Sequence, residues 1–202
     1  LRWEWYFDEN AGNSVSVAVF YKEIEDAIER VVIAASGTAA NARSFQNSEL
    51  AELTGVEVEG RISFALTESD DSEFFVDINA ASIDSEVDTG GGTIGAMQGQ
   101  PEYTANIILG YDDFSTDQQL TLLLNQNGET VADRGIQGAA NVVLEPRLDV
   151  QLVYRWDISE ALSLRAKIDN LLNEEFEYTQ DNRVFQRYER GTSFQVGFDW
   201  EI

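Results

Sequence analysis

The chain has 202 residues, with 13 Lys and Arg against 37 Asp and Glu, so its formal net charge is −24. That balance repels phosphate backbones and argues against a nucleic-acid partner, and the absence of Cys and His removes disulfides, thiol nucleophiles, imidazole bases and Cys/His zinc sites. No apolar run approaches the ~20 residues of a membrane-spanning helix, while 43% hydrophobic and 11% aromatic residues are ample for an ordered fold.

Apolar and polar residues alternate along nearly the whole chain, the period of strands with two chemically different faces. Leu1, Trp3, Trp5 and Phe7 oppose Arg2, Glu4 and Asp8, and Val15, Val17, Val19 and Tyr21 oppose Ser14, Ser16 and Ala18. Ile24, Ala27, Ile28, Val31 and Val32 follow at a spacing that fits either a short helix or an outward continuation of the strand. Val56, Val58, Ile62, Phe64 and Leu66 then face away from Glu57, Glu59, Arg61 and Ser63. Phe74, Val76 and Ile78 oppose Asp77 and Asn79, with Phe75 out of pattern. Tyr103, Ala105, Ile107, Leu109 and Tyr111 alternate with Thr104, Asn106, Ile108 and Gly110. Leu120, Leu122 and Leu124 alternate with Gln119, Thr121 and Asn125, interrupted by Leu123. Leu148, Val150, Leu152, Tyr154 and Trp156 oppose Asp149, Gln151, Val153 and Arg155. Leu162, Leu164, Ala166 and Ile168 oppose Ser163, Arg165, Lys167 and Asp169. Phe194, Val196, Phe198, Trp200 and Ile202 close the series against Gln195, Gly197, Asp199 and Glu201. These nine predicted strands include several of the length a tilted strand needs to cross a bilayer.

The links between them alternate in length. Short turns rich in Asp, Asn, Ser and Gly occupy 8–13, 67–72, 112–117 and 157–161, and long connections occupy 22–52, 84–101, 126–146 and 170–190. Such sorting predicts antiparallel neighbours with the elaborate connections at one end, as in outer-membrane barrels. Pro101 and Pro146 both fall where a long connection returns to a strand, where a missing N–H does little harm. Phe7, Phe64, Phe74, Tyr111, Trp156 and Trp200 cluster outward near the short-turn edge, with Trp3, Tyr21 and Tyr103 toward the other end. Two aromatic girdles around an aliphatic band suit the two membrane–water interfaces. The fold class predicted is all-β, an antiparallel transmembrane β-barrel segment that is an open curved sheet when isolated. The chain opens at Leu1 inside a patterned segment, as a piece of a longer protein would.

Catalysis finds no support. The neighbouring carboxylates Asp70/Asp71 and Glu174/Glu175 lie in turns that promise neither fixed separation nor separated pKa values. Gly90-Gly91-Gly92 lacks the Lys-Ser/Thr and helix of a phosphate cradle, and no acidic loop has EF-hand spacing. No catalytic residue, metal ligand or cofactor is assigned.

The chain resembles the C-terminal barrel portion of TonB-dependent receptors, over almost its whole length. The likeness is carried by Leu1-Arg2-Trp3-Glu4-Trp5-Tyr6-Phe7, Val17-Ala18-Val19-Phe20-Tyr21-Lys22-Glu23-Ile24, Gly55-Val56-Glu57-Val58-Glu59 and Pro101-Glu102-Tyr103-Thr104-Ala105-Asn106. Its strongest part is Asp169-Asn170-Leu171-Leu172-Asn173-Glu174-Glu175-Phe176-Glu177-Tyr178, followed by Arg190-Gly191-Thr192-Ser193-Phe194 and the last strand. Ile202 departs from the Phe or Trp that usually ends an outer-membrane protein. The resemblance implies residues 1–202 as the last nine strands of a barrel of about 22 strands, the plug domain and earlier strands lying outside this sequence. It also implies a Gram-negative outer membrane, its lipid, the protein's own plug domain and TonB as surroundings, and a small nutrient, a ferric siderophore or a saccharide, as ligand. Arg2, Glu4, Glu57, Glu59, Arg61, Asp77, Arg155, Arg165, Lys167 and Asp169 would then face the plug or pair with one another. Candidates for ligand contact are Asn125, Gln137, Asn141, Tyr178, Arg183, Phe185 and Tyr188, polar amides, a cation and aromatics suited to stacking and hydrogen bonding. Two other readings compete: a self-contained outer-membrane barrel of about ten strands, an adhesin or enzyme, and a soluble β-sandwich binding module.

Overall fold

The computed structural model describes residues 1–8, 12–33, 42–66, 71–88 and 94–201. The signals at Gly90-Gly91-Gly92, Asp70 and Ile202 lie outside the described residues, as do parts of the turns at 8–13 and 67–72. Strands β1 (Arg2–Asp8), β2 (Asn13–Glu25), β3 (Ile28–Ile33), β4 (Ala42–Asn47), β5 (Leu50–Ala65) and β6 (Ser72–Asp88) come first. They are followed by β7 (Ile94–Gly95), β8 (Tyr103–Asp113), β9 (Gln118–Asn127), β10 (Thr130–Ile136) and β11 (Val142–Leu144). The last five are β12 (Arg147–Ser159), β13 (Leu162–Asp169), β14 (Glu175–Gln180), β15 (Arg183–Glu189) and β16 (Ser193–Trp200).

The main sheet runs β1-β2-β5-β6-β8-β9-β12-β13-β16, with β7 paired to β6 off that path. All its neighbours are antiparallel, and β1 and β16 are its open edges. The nine strands on the path are the nine that alternation predicts. Their apolar rows lie open to the surroundings: Trp3 is 56% exposed, Ile62 51%, Phe64 49% and Trp200 76%. A sandwich would bury those rows beneath a second sheet. Among the described residues no layer covers them.

The two breaks in the apolar pattern have packing reasons. Phe75 lies on the polar face opposite Gly110, where a Cβ would stand 2.0 Å from the Phe75 ring, and Arg61 lies over that ring at 4.9 Å. Leu123 pairs with Ile108 on the same face, a small apolar spot within a polar wall. At the short-turn end, Asp113 Oδ1 accepts hydrogen bonds from Ser115 N at 3.0 Å, Ser115 Oγ at 2.6 Å and Thr116 N at 3.2 Å. Those bonds, with Asp117 at φ 52°, turn the chain from β8 into β9.

Among the described residues, three of the four long connections, 22–52, 126–146 and 170–190, build a second, six-stranded sheet in the order β15-β14-β11-β10-β3-β4, while 84–101 adds β7 to the main sheet. The ambiguous stretch at Ile24–Val32 resolves as strand. Asp26 takes a left-handed φ of 54°, which ends β2 and starts β3 at Ile28, and β3 then pairs in parallel with β10. The outer halves of β5 and β6 carry this cap. Ala51, Leu53 and Val87 are buried there, on the face that bears Glu57, Glu59 and Asp77 lower down, and Met97 N donates to Ser85 Oγ on that same face at 3.0 Å. The cap therefore packs against the concave side of the main sheet.

Candidate functional site

Two regions of the concave side gather polar chemistry. The first is the wall of the main sheet. Register places Glu4, Ser16, Glu59, Asn79, Asn106, Asn125 and Asp149 in one row across seven strands. From Ser16 to Asn125 their side chains are hydrogen-bonded along the row. Ser16 Oγ and Asn79 Nδ2 donate to Glu59 at 3.3 Å each, Asn106 Nδ2 donates to Asn79 Oδ1 at 3.4 Å, and Asn125 Nδ2 donates to Asn106 Oδ1. Asn127 Nδ2 extends the chain to Asn125 Oδ1 at 2.9 Å, and Gln151 Nε2 donates to Asp149 at 2.8 Å. A cavity of about 290 Å³ opens on this wall beside Arg2, Tyr6, Glu59, Arg61 and Asn79.

The residues expected to line the interior lie on this wall, and most pair among themselves. Arg2 bonds Glu4 at 2.5 Å and Glu59 at 2.6 Å, Arg61 bonds Asp77 at 2.9 Å, and Lys167 bonds Asp169 at 2.7 Å. Arg155 pairs instead with Asp157 at 3.0 Å, while Arg165 sits in register between Arg155 and Gly197. Glu57 stands between Ala18 and Ala81. Of these pairs Arg61–Asp77 lies directly across two neighbouring strands, a placement in which opposite charges stabilise a sheet by roughly 0.2–1 kcal/mol; Arg2–Glu4, Arg155–Asp157 and Lys167–Asp169 join residues two apart on one strand.

The second region is in the cap, a cleft of about 450 Å³ lined by Ile28, Arg30, Phe45, Val131, Leu144 and Tyr178, among others. Behind it lie two ionic clusters. Glu29 and Arg134 are each 2% exposed and meet through two bonds of 2.5 and 2.7 Å. Arg134 also donates to Ala96 O, and it sits so close to Gly95 that a Cβ there would lie 2.8 Å from its Nη1. Buried Asp133 accepts from the Nε groups of both Arg30 and Arg43, the latter at 2.8 Å. Gln98 stitches the cleft floor, accepting from Arg30 N at 2.7 Å and donating to Arg30 O at 3.0 Å and to Ala132 O. Burial, and then the Tyr188 hydroxyl, push the Tyr178 phenol above its ordinary range. Between the sheets, burial raises the Glu129 carboxyl, and Glu102 and Glu145 raise it further.

The seven residues expected to touch ligand do not form one site. Tyr178 lines the cleft, Phe185 lies under Arg43 at 5.5 Å, and Tyr188 stacks on Phe176 at 5.0 Å with a 3° interplanar angle. Asn125 belongs to the amide row of the wall. Gln137 takes a left-handed φ of 55° in the turn after β10, and Asn141 Oδ1 accepts from Gly135 N at 2.9 Å, closing that turn. Arg183 opposes Gln180 in the β14–β15 hairpin. Arg30, Arg43 and Asp133 are absent from those expectations. For Arg30 and Asp133 a signal exists: Glu29-Arg30 and Asp133-Arg134 are two acid–arginine pairs set in largely apolar surroundings.

A family model described as "TonB dependent receptor-like, beta-barrel" matches residues 1–171. Among solved structures, "The FrpB iron transporter from Neisseria meningitidis (F3-3 variant)" aligns with a TM-score of 0.62 at 13% identity, over 93% of this chain and 28% of that one. A crystal structure of the ferric enterobactin receptor PfeA in complex with BCV-L6 aligns with a TM-score of 0.58 at 20% identity, over 98% of this chain and 30% of that one. The chain thus spans less than a third of either, and the likeness is one of fold. No curated protein matches the sequence.

Proposed function

The chain belongs to the TonB-dependent receptor β-barrel family, whose model covers residues 1–171, and from that membership we propose that it is the C-terminal barrel wall of an outer-membrane receptor importing a scarce small nutrient. In this reading residues 1–202 are the last nine strands of the barrel, the concave wall faces the protein's own plug domain, and TonB supplies the drive from the periplasm. The cap stands at the extracellular mouth and meets the ligand first, a ferric siderophore or a saccharide. The chain binds and gates. It performs no covalent step.

The observation that carries this is the two-sided sheet: outward apolar rows left open, against an inner wall of linked amides and ion pairs. An open row of Trp, Val, Ile and Phe is stable against lipid and costly against water. The solved iron transporter and ferric enterobactin receptor lend weight to an iron-bearing ligand.

The test is expression of the full-length protein in a Gram-negative host. Expected are recovery in the outer-membrane fraction, altered gel migration on heating, and uptake of a labelled ferric siderophore or oligosaccharide that stops when TonB is deleted. Recovery as a detergent-free soluble monomer would overturn the reading, as would uptake indifferent to TonB.

A further inference from the structure

Asp133 is 1% exposed, yet two guanidiniums share it. Burying a charge so far from water is costly unless it is paired and hydrogen-bonded. One arginine neutralises it. The second leaves one unit of positive charge beside the cleft, which Arg30 lines, and both guanidiniums remain nearly half exposed. Among the described residues neither has an ion pair with any other acid.

Both cations are held in place. Arg30 Nη2 donates to Ala132 O at 3.1 Å, and the Arg43 guanidinium lies over Phe185. Arg30 faces Phe45 across the β3–β4 pair, and Phe45 shares its face of β4 with Arg43. Planar guanidiniums fixed in this way match an oxyanion. Arg30 itself lines the cleft, and the apolar part of the lining, Ile28, Phe45, Val131, Leu144 and the Tyr178 ring, suits a flat apolar body. Two uncharged polar side chains of the lining are already engaged with backbone: Gln98 with Arg30 and Ala132, and the Thr130 hydroxyl with Gly128 O at 3.2 Å.

We propose that this cleft binds an acidic ligand: a compact oxyanion held by Arg30 and Arg43, on a flat apolar body lodged against Phe45, Leu144 and Tyr178. Asp133 is the positioning residue that sets the two arginines side by side. The inference rests on the receptor reading and narrows its ligand class.

The experiment uses the full-length receptor in neutral detergent, with benzoate, benzyl alcohol and acetate as probes in saturation-transfer NMR. Benzoate is expected to bind at least about tenfold more tightly than either the uncharged ring or the ringless anion, because charge-assisted hydrogen bonds and ring burial act together. Arg43→Met should weaken benzoate by about tenfold or more. Asp133→Asn separates position from charge. It removes a negative charge near the anion, so a purely electrostatic role predicts tighter binding, whereas a positioning role predicts weaker binding. Should Asp133→Asn lose its folded, heat-modifiable form, Arg30→Met and Arg43→Met decide. Equal binding of benzoate and benzyl alcohol, an unchanged Arg43→Met, or a tighter Asp133→Asn overturns the proposal. Capture of phosphatidylglycerol vesicles in place of benzoate assigns the cleft to lipid and overturns it too. TonB-dependent uptake that persists without benzoate binding overturns this inference alone and leaves the receptor reading standing.

Discussion

Gly110 has no side chain, and Phe75 uses the space. The ring lies against the β8 backbone with Arg61 on its other side, so an aromatic residue is buried within a polar wall and a cation is fixed over it. A methyl group at Gly110 would sit inside that ring. Gly110→Ala should therefore destabilise the barrel by about 1–3 kcal/mol, through overpacking. Gly60→Ala, whose new Cβ would meet Val15 Cγ2 at 3.4 Å, should cost much less. Urea unfolding of the two variants in the same detergent measures the difference. Equal midpoints would mean that Phe75 moves aside freely.

At the level of elements, the cap depends on a parallel pair formed by strands far apart in sequence. β3 and β10 meet in register at Val31 and Arg134, and the Glu29–Arg134 bridge seals one face of that pair. A buried ion pair adds little net stability, because desolvation offsets the attraction, but removing one partner strands the other. Arg134→Met should loosen the cap by about 3–5 kcal/mol, whereas the double variant Glu29→Leu with Arg134→Met should recover most of that loss. Amide hydrogen exchange reads it directly: faster exchange in β3 and β10 for the single variant, with β8 and β9 unchanged. Faster exchange in β8 and β9 as well would mean that cap and barrel wall unfold as one unit.

For the whole molecule, the decisive property is which solvent each face meets. Val58 sits on the outward face between Val17 and Ala80, amid exposed aliphatic neighbours. In a bilayer, Val58→Arg should cost about 2–4 kcal/mol, while Val58→Ile should be close to neutral. Folding titrations into lipid vesicles measure both. An arginine tolerated without cost at that position would place the band in water and remove the basis for a membrane role.

Much of this architecture was legible in the sequence. Alternation reports the two environments flanking each residue, a local property, so all nine wall strands, their outward rows and the short-turn ends could be read from it. The pairing of Arg2 with Glu4 and of Lys167 with Asp169 follows the same two-residue step along one strand face. The cap was not legible. Its strands are short, and their meaning depends on partners such as Arg30 and Asp133, 103 residues apart, or Glu29 and Arg134, 105 apart. For the same reason the expected ligand residues scattered, since Tyr178 and Phe185 acquire their neighbours only when β3, β4 and β10 arrive beside them. The two-faced wall is written along the chain, because each side chain's polarity is matched to the solvent it will meet. The cap and its charged cleft take shape on folding alone, because a buried charge takes its partner from across the fold rather than from its neighbours in the chain.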